Sequence, residues 1–105
     1  FTNHAIVSTA KGAIEGLTLS LAAEFAPKIK VNCIAPSLTD AKMTQKLVSN
    51  ENIKKAIENM HPIPKIGAGD DFSDIGSYLL SEKNNWITGQ IFHIDGGRST
   101  LRIKS

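Results

Sequence analysis

The feature that most constrains this chain is a strand pattern in residues 29–35 with apolar side chains on both of its faces. Ile29 and Val31 point to one side of such a strand, and Ile34 points to the other. A strand that is apolar on both faces is typical of a parallel sheet covered by helices on each side. The sequence therefore predicts an α/β fold in which this strand lies inside a sheet.

The order of the predicted elements indicates a parallel crossover, because helical segments separate the two strand patterns. Two strands alone rarely form a stable sheet, since three or more with a covered face are usually needed. The chain also begins with Phe1 rather than Met. We therefore interpret it as the C-terminal part of a doubly wound parallel sheet, with two strands and three main helices, and expect further strands upstream. The predicted helices are residues 3–26, 41–49, 52–60 and 70–80, and the predicted strands are residues 29–35 and 90–95.

The first predicted helix, residues 3–26, is expected to be amphipathic and to end at Pro27, which lacks the N–H that a helix needs. Small residues on a second face, Gly12, Gly16 and Ala23, would let another helix approach closely. The apolar face is formed at helical spacing by Ile6, Ala10, Ala13, Ile14, Leu17, Leu21 and Phe25.

Charge and composition exclude several classes of function. Twelve Lys and Arg against ten Asp and Glu leave a net charge of +2, and the basic residues are scattered. This gives no electrostatic surface for nucleic acid or for an anionic membrane. No apolar run is long enough to cross a bilayer, and no secretion signal opens the chain. With a single cysteine, Cys33, a disulfide framework is excluded, and we expect a cytoplasmic protein.

The three histidines are dispersed along the chain, so their spacing predicts no metal site. His93 falls within the second strand pattern and is expected to pack or to face outward. His61 precedes Pro62 and is expected on a loop surface. The turn at Asp95, Gly96 and Gly97 is assigned a structural role, since glycine permits positive φ.

Four short strings carry a resemblance to one family. They are VSTAKGA at residues 7–13, KVNCIAP at 30–36, WITGQ at 86–90 and HIDGG at 93–97. In this order and spacing they resemble the C-terminal half of a short-chain dehydrogenase/reductase. The resemblance implies that residues 1–105 are the C-terminal portion of a single Rossmann-like NAD(P)-binding domain, with a substrate lid at residues 37–69. It further implies NAD or NADP as cofactor, a small carbonyl or alcohol substrate, and a homo-oligomer formed through the first helix.

Lys11 matches the lysine of the family's Y-x-x-x-K motif, which holds the cofactor ribose and lowers the pKa of the tyrosine one helical turn away. A free tyrosine has a pKa of about 10, so a nearby ammonium is what makes the phenol useful as an acid or base near neutrality. In this chain the tyrosine position is Val7, which can neither donate nor accept a proton. This departure puts the reaction in doubt but leaves the fold prediction intact.

Two other side chains near that helix face are weaker candidates for proton transfer. His4 lies three residues before Val7, and an imidazole titrates near neutrality. A solvent-facing His4 near the helix start is the simpler interpretation. Ser8 would need an activating base.

The residues that follow the first strand resemble the family's nicotinamide-holding loop. Pro36, Ser37, Leu38 and Thr39 come at the carboxyl end of a strand, where open α/β sheets bind ligands. Ser37 replaces the family's usual glycine, and Ala41 replaces a frequent threonine. Since backbone groups make the main contacts in that loop, the resemblance still implies cofactor binding there. An ordinary strand-ending turn is the structural alternative.

Three functions remain open on the sequence. The first is an NAD(P)-dependent oxidoreductase that transfers a hydride between nicotinamide and a carbonyl or alcohol. In that case the isolated chain is expected to be an inactive fragment of the enzyme. The second is a non-catalytic relative that retains nucleotide binding or oligomerisation. The third is an unrelated small helix–strand interaction module, which would require all four strings to arise by chance.

Overall fold

The computed structural model describes residues 4–37 and 49–102. Within these ranges the element order confirms the α/β prediction, and no helix is long and apolar enough to cross a bilayer. The predicted helix at residues 41–49 lies almost entirely outside the described residues. The elements are α1 (His4–Phe25), β1 (Cys33–Pro36), α2 (Glu51–Asn59), α3 (Asp70–Leu80) and β2 (Ile91–Ile94).

The strands β1 and β2 are hydrogen-bonded neighbours in a two-stranded sheet. The backbone N–H of Gly89 donates to the carbonyl of Val31 at 2.8 Å, and the N–H of Cys33 donates to the carbonyl of Gln90 at 2.9 Å. The paired residue numbers rise together along both segments, so the strands are parallel. This confirms the predicted crossover, in which the chain leaves β1, passes through helices and returns in the same direction.

The strands are shorter than the sequence predicts. β1 begins at Cys33 rather than at Ile29, because the backbone N–H of Ile29 still bonds to the carbonyl of Phe25 in the turn that ends α1. It also includes Pro36, which the prediction placed outside, since a strand end does not require the missing N–H. β2 covers Ile91–Ile94, one residue shorter at each end than predicted. α3 matches its predicted bounds.

The chain divides into two compact units, residues 1–33 with 79–92 and residues 34–78 with 93–105. In the first unit the buried residues of α1 are Thr18 and Ala22, which lie one turn apart on the same face. The Thr18 hydroxyl donates to the carbonyl of Ile14 at 2.8 Å, so its polar group is satisfied within the helix. A Cβ on Gly89 would lie 3.5 Å from the Ala22 Cβ, so the segment before β2 approaches this face closely.

The predicted apolar face of α1 is therefore not the face that packs within the described residues. Ile14 and Leu17 are more than half exposed, at 56% and 57%. The approach of backbone at Gly89 favours small side chains, which explains why Ala22 is buried while the larger apolar residues are not. Gly12 and Gly16, on the predicted small-residue face, have open space where a Cβ would stand.

Asn84 ties the end of α3 to the segment that leads into β2. Its side chain is buried, at 1% exposure, and its amide N–H groups donate to the carbonyls of Leu79 at 3.1 Å and Ile87 at 3.2 Å. Its oxygen accepts from the Ile87 N–H at 2.9 Å. The Asn32 side chain also donates to the Ile87 carbonyl, at 3.1 Å, and accepts from the Gln90 N–H at 3.0 Å. Two asparagine side chains thus fix the peptides around Ile87.

In the second unit, side chains satisfy backbone groups at the starts of α2 and α3. The Asn50 side chain caps α2 by accepting from the N–H groups of Asn52 and Ile53. Asp71 accepts from the Lys65 ammonium at 2.6 Å and from the Ala68 N–H at 2.7 Å. The hydrogen bond from Lys65, then that from Ala68, lower the pKa of Asp71, and they outweigh a small opposite effect of burial.

We expect Asn84→Ala to lower the free energy of unfolding by about 3 kcal/mol, because it leaves buried backbone groups without partners. The neighbouring Asn85 is exposed, so Asn85→Ala is the matched control and should change stability by less than about 0.5 kcal/mol. Urea unfolding followed by circular dichroism measures both. Equal losses in the two variants would contradict the role assigned to Asn84.

We expect Asp71→Asn to lower the thermal unfolding midpoint at neutral pH. Since the folded-state pKa of Asp71 lies below its ordinary value of 3.8, its carboxylate stabilises the fold above that value. The stabilisation is lost as the pH falls through the lowered pKa, so the difference between wild type and variant should shrink as the pH falls below 3.8. Asp70→Asn removes a charge from the same helix turn and is the control. A difference that persists in acid would contradict this assignment.

Candidate functional site

A cavity lies in the second unit where both strands of the sheet end. Ser37 follows directly after β1, and Asp95 and Gly96 follow directly after β2; all three line the cavity. The carboxyl ends of parallel strands meet at one edge of a sheet, and open α/β sheets bind their ligands there. The cavity volume is about 190 Å³, which is below the usual size of a drug-sized ligand pocket. It can hold a small molecule or one end of a larger one.

His61 belongs to this cavity, and the prediction that it lies on a loop surface is wrong. It is 4% exposed. It follows the last turn of α2, where its backbone N–H bonds to the carbonyl of Glu58. That turn points the imidazole inward, and the following Pro62 prevents the helix from continuing.

The His61 ring is held at both nitrogens. Nδ1 lies 2.8 Å from the backbone carbonyl of Ile57, and Nε2 lies 2.8 Å from the Ser37 hydroxyl. A carbonyl oxygen only accepts hydrogen bonds, so Nδ1 must carry a proton. In the neutral ring Nε2 is then an acceptor, and the Ser37 hydroxyl donates to it. A serine, a histidine and a carbonyl that orients the ring form a connected chain of hydrogen bonds.

Charged side chains surround the rest of the cavity. Lys65 and Asp71 form the ion pair described above and both line the cavity, as does Asp95. Burial raises the pKa of Asp95, but hydrogen bonds from the Ser99 hydroxyl and from the N–H groups of Gly97 and Ser99, with a smaller effect of His93, outweigh it and lower the pKa overall. Asp95 is therefore a carboxylate at neutral pH.

The turn after β2 confirms the predicted need for glycine. Gly96 and Gly97 have φ of +63° and +90°. A Cβ on Gly96 would lie 3.0 Å from the carbonyl oxygen of Ile63, a backbone atom that cannot move aside easily. The turn thus brings the end of β2 against the loop that carries His61.

The structure places part of the predicted cofactor-binding set. Pro36 is exposed at the end of β1, and Ser37 is half-buried beside the cavity. Leu38 and Thr39 lie outside the described residues. Lys11 is exposed on α1, which belongs to the first unit. His93 is exposed on β2, which agrees with the outward-facing placement, one of the two expected from the sequence. The side chains of Val7 and His4 are not described, so the roles weighed for them remain predictions.

Sequence reasoning missed the pairing of Ser37 with His61. The two residues are 24 positions apart, and neither lies in a motif with a fixed spacing. Two signals were present: Ser37 stands where the resembled family has glycine, and His61 ends a helix directly before Pro62. Within the part of the chain that the structure describes, no three potential metal ligands come together.

Comparison with known proteins identifies the family. The family model described as Enoyl-(Acyl carrier protein) reductase matches residues 1–99. An uncharacterised oxidoreductase of Mycobacterium tuberculosis is 38% identical over 90 residues, which cover 85% of this chain and 36% of that protein. The chain thus spans little more than a third of the length of this curated relative.

Solved structures show the same architecture. The structure of 4-hydroxyisoleucine dehydrogenase complexed with NADH has a TM-score of 0.83 and 32% identity, over 90% of this chain and 39% of that one. The structure of ElxO with NADP bound has a TM-score of 0.80 and 38% identity, over 89% of this chain and 38% of that one. Together with the family match over nearly the whole length, these similarities show that the chain belongs to the short-chain dehydrogenase/reductase family.

Proposed function

We propose that this chain is part of an NAD(P)-dependent oxidoreductase that transfers a hydride between nicotinamide and a small carbonyl or alcohol substrate. The observation that carries the proposal is the family match over residues 1–99. Structures at 32% and 38% identity that hold NADH and NADP support the cofactor assignment. The single cysteine, Cys33, supports the proposed cytoplasmic location.

The residues present fit the nicotinamide end of such a cofactor. The exposed Pro36 and the half-buried Ser37 leave the backbone at the end of β1 accessible, as the contacts of a carboxamide would require. By the resemblance, Lys11, exposed on α1, would donate hydrogen bonds to a ribose hydroxyl. Leu38 and Thr39, which lie outside the described residues, belong to the proposed cofactor-binding set by the resemblance alone. When bound, the cofactor supplies the hydride donor or acceptor. The cavity of about 190 Å³ is too small for a dinucleotide and suits the reacting end of a substrate.

Oligomerisation through α1 belongs to the same proposal. Ile14 and Leu17 are more than half exposed, and so is Ile6. Gly12 and Gly16 leave open space on the helix surface, so a second helix can approach closely. Burying three such side chains against a partner would contribute several kcal/mol to association.

A second candidate is a non-catalytic relative that retains nucleotide binding or assembly. The observation that favours it is Val7 at the position of the family's tyrosine. A valine side chain cannot supply the proton that accompanies hydride transfer. Under this alternative, the protein would bind NAD(P)H without turning over carbonyl compounds, and Val7→Tyr would leave that result unchanged.

The proposal is tested on the full gene product that contains these residues. We expect it to bind NADH or NADPH, with a shift in nicotinamide fluorescence, and to oxidise the bound cofactor when small carbonyl compounds are added. The isolated 105 residues should do neither. Binding without turnover in both wild type and Val7→Tyr would favour the non-catalytic alternative, and the absence of binding would contradict both.

We expect Lys11→Met to weaken cofactor binding about tenfold, equivalent to about 1.4 kcal/mol, because it removes the ammonium while keeping the apolar stem. Fluorescence titration with NADH and NADPH measures the change. Lys30→Met removes a lysine that is also exposed and is the matched control, with an affinity within about twofold of wild type. Similar losses in both variants would contradict a specific contact from Lys11.

A further inference from the structure

Ser37 and His61 form a hydrogen-bonded pair, and the hydride transfer proposed above gives His61 no role. The imidazole is 4% exposed and is held at both nitrogens at 2.8 Å. Ordering a buried ring in this way costs conformational entropy and desolvation of its polar atoms. Ser37 lines the cavity at the carboxyl end of β1, where open α/β sheets bind their ligands.

The reaction assigned to the family moves a proton together with the hydride, and Val7 cannot supply it. A proton-transferring group must lie within hydrogen-bond reach of the substrate oxygen and must have a route for the proton. Ser37 and His61 both line one cavity, and the Ser37 hydroxyl oxygen lies 2.8 Å from Nε2 of His61, so a hydroxyl and a proton acceptor are already hydrogen-bonded there.

We propose that Ser37 and His61 are the proton-transfer pair of the reaction, a role that the Val7 side chain cannot perform. The inference rests on the proposed function. In the oxidation direction, the O–H bond of the substrate alcohol breaks and its proton passes to the Ser37 oxygen, while the Ser37 proton passes to Nε2 of His61. With the oxidised nicotinamide cofactor bound as hydride acceptor, the electron pair left on the substrate oxygen would form the carbonyl as the hydride leaves the substrate carbon. Reduction runs the same transfers in reverse.

The anchoring of His61 suits this role. After it takes the proton at Nε2, the ring donates from both nitrogens, and Nδ1 keeps its hydrogen bond to the Ile57 carbonyl. The ring therefore changes charge without reorienting. Ser37 acts on the substrate directly, and His61 acts through Ser37 as its positioning and proton-accepting partner.

The charges around the cavity are compatible with a transient positive ring. Among the described residues that line it, the charged groups are Lys65, Asp71 and Asp95. Lys65 and Asp71 neutralise each other as an ion pair at 2.6 Å. Asp95 remains as a carboxylate, whose negative sign balances an imidazolium.

The cavity also limits the substrate class. Its apolar wall is formed by Ile63, Phe72 and Ile94. A volume of about 190 Å³ holds only a few non-hydrogen atoms beside the reacting oxygen. The geometry thus favours a small alcohol or carbonyl compound with an apolar substituent, or the end of a longer apolar chain.

The experiment compares wild type, Ser37→Gly and His61→Gln in the full gene product, with 2-butanol and NAD(P)⁺ and, in reverse, 2-butanone and NAD(P)H. Ser37→Gly introduces the residue that the resembled family has at this position, so it is expected to fold. We expect both variants to lower kcat about 100-fold, the usual contribution of general acid–base catalysis, with KM for the cofactor within about twofold. NADH affinity, measured by fluorescence without substrate, should stay within about twofold in both variants, since neither substitution removes the backbone groups that the resemblance assigns to cofactor binding.

Two further variants separate catalysis from structure. Val7→Tyr in the Ser37→Gly background should restore at least a tenth of the wild-type kcat, since it returns a phenol one helical turn from Lys11. Ser77→Ala removes an exposed serine from α3 and should leave kcat unchanged.

If wild type turns over the substrate and Ser37→Gly keeps kcat within twofold, the assignment of Ser37 and His61 as the proton-transfer pair is wrong and the proposed function stands. If wild type binds cofactor but shows no turnover, the proposed oxidoreductase function fails and the pair with it.

Discussion

The carbonyl of Ile87 is the point on which the described sheet depends. It accepts hydrogen bonds from the side chains of both Asn32 and Asn84, while the Ile87 N–H donates back to Asn84. These side chains replace backbone partners where the segment before β2 is irregular, and the Asn32 side chain, which also accepts from the Gln90 N–H, joins that segment to the residues before β1. A shift of one residue would turn every side chain of β2 to the opposite face. The hydrogen bonds of Asn32 therefore favour one register of β1 against β2.

The end of the sheet gathers its chemistry from segments that are distant in sequence. Ser37 follows β1, His61 follows α2, and Asp95 follows β2. Two of them are held by backbone groups, His61 by the Ile57 carbonyl and Asp95 by the N–H groups of Gly97 and Ser99, and Ser37 is hydrogen-bonded to the His61 ring. Anchors of this kind keep polar side chains in one orientation, which is what a binding or catalytic site requires.

One apolar side of α1 is exposed to solvent, since nothing in the described residues covers it. Ile14 and Leu17 remain accessible, while the buried face of the helix is narrow and contains Thr18 and Ala22. Apolar surface of this kind on a helix of a layered α/β protein calls for a further layer.

The sequence by itself determined the fold class, the bounds of α3 and the family. Local sequence patterns predict those properties: apolar periodicity, the acidic first turn of α3, and four short strings in the family's order and spacing. Tertiary structure alone decided which face of α1 is buried, where β1 begins, and that His61 lies inside and meets Ser37. The physical reason is that burial and hydrogen bonding between residues 24 positions apart depend on how distant segments pack, and a local pattern within one segment does not say which other segment it will contact.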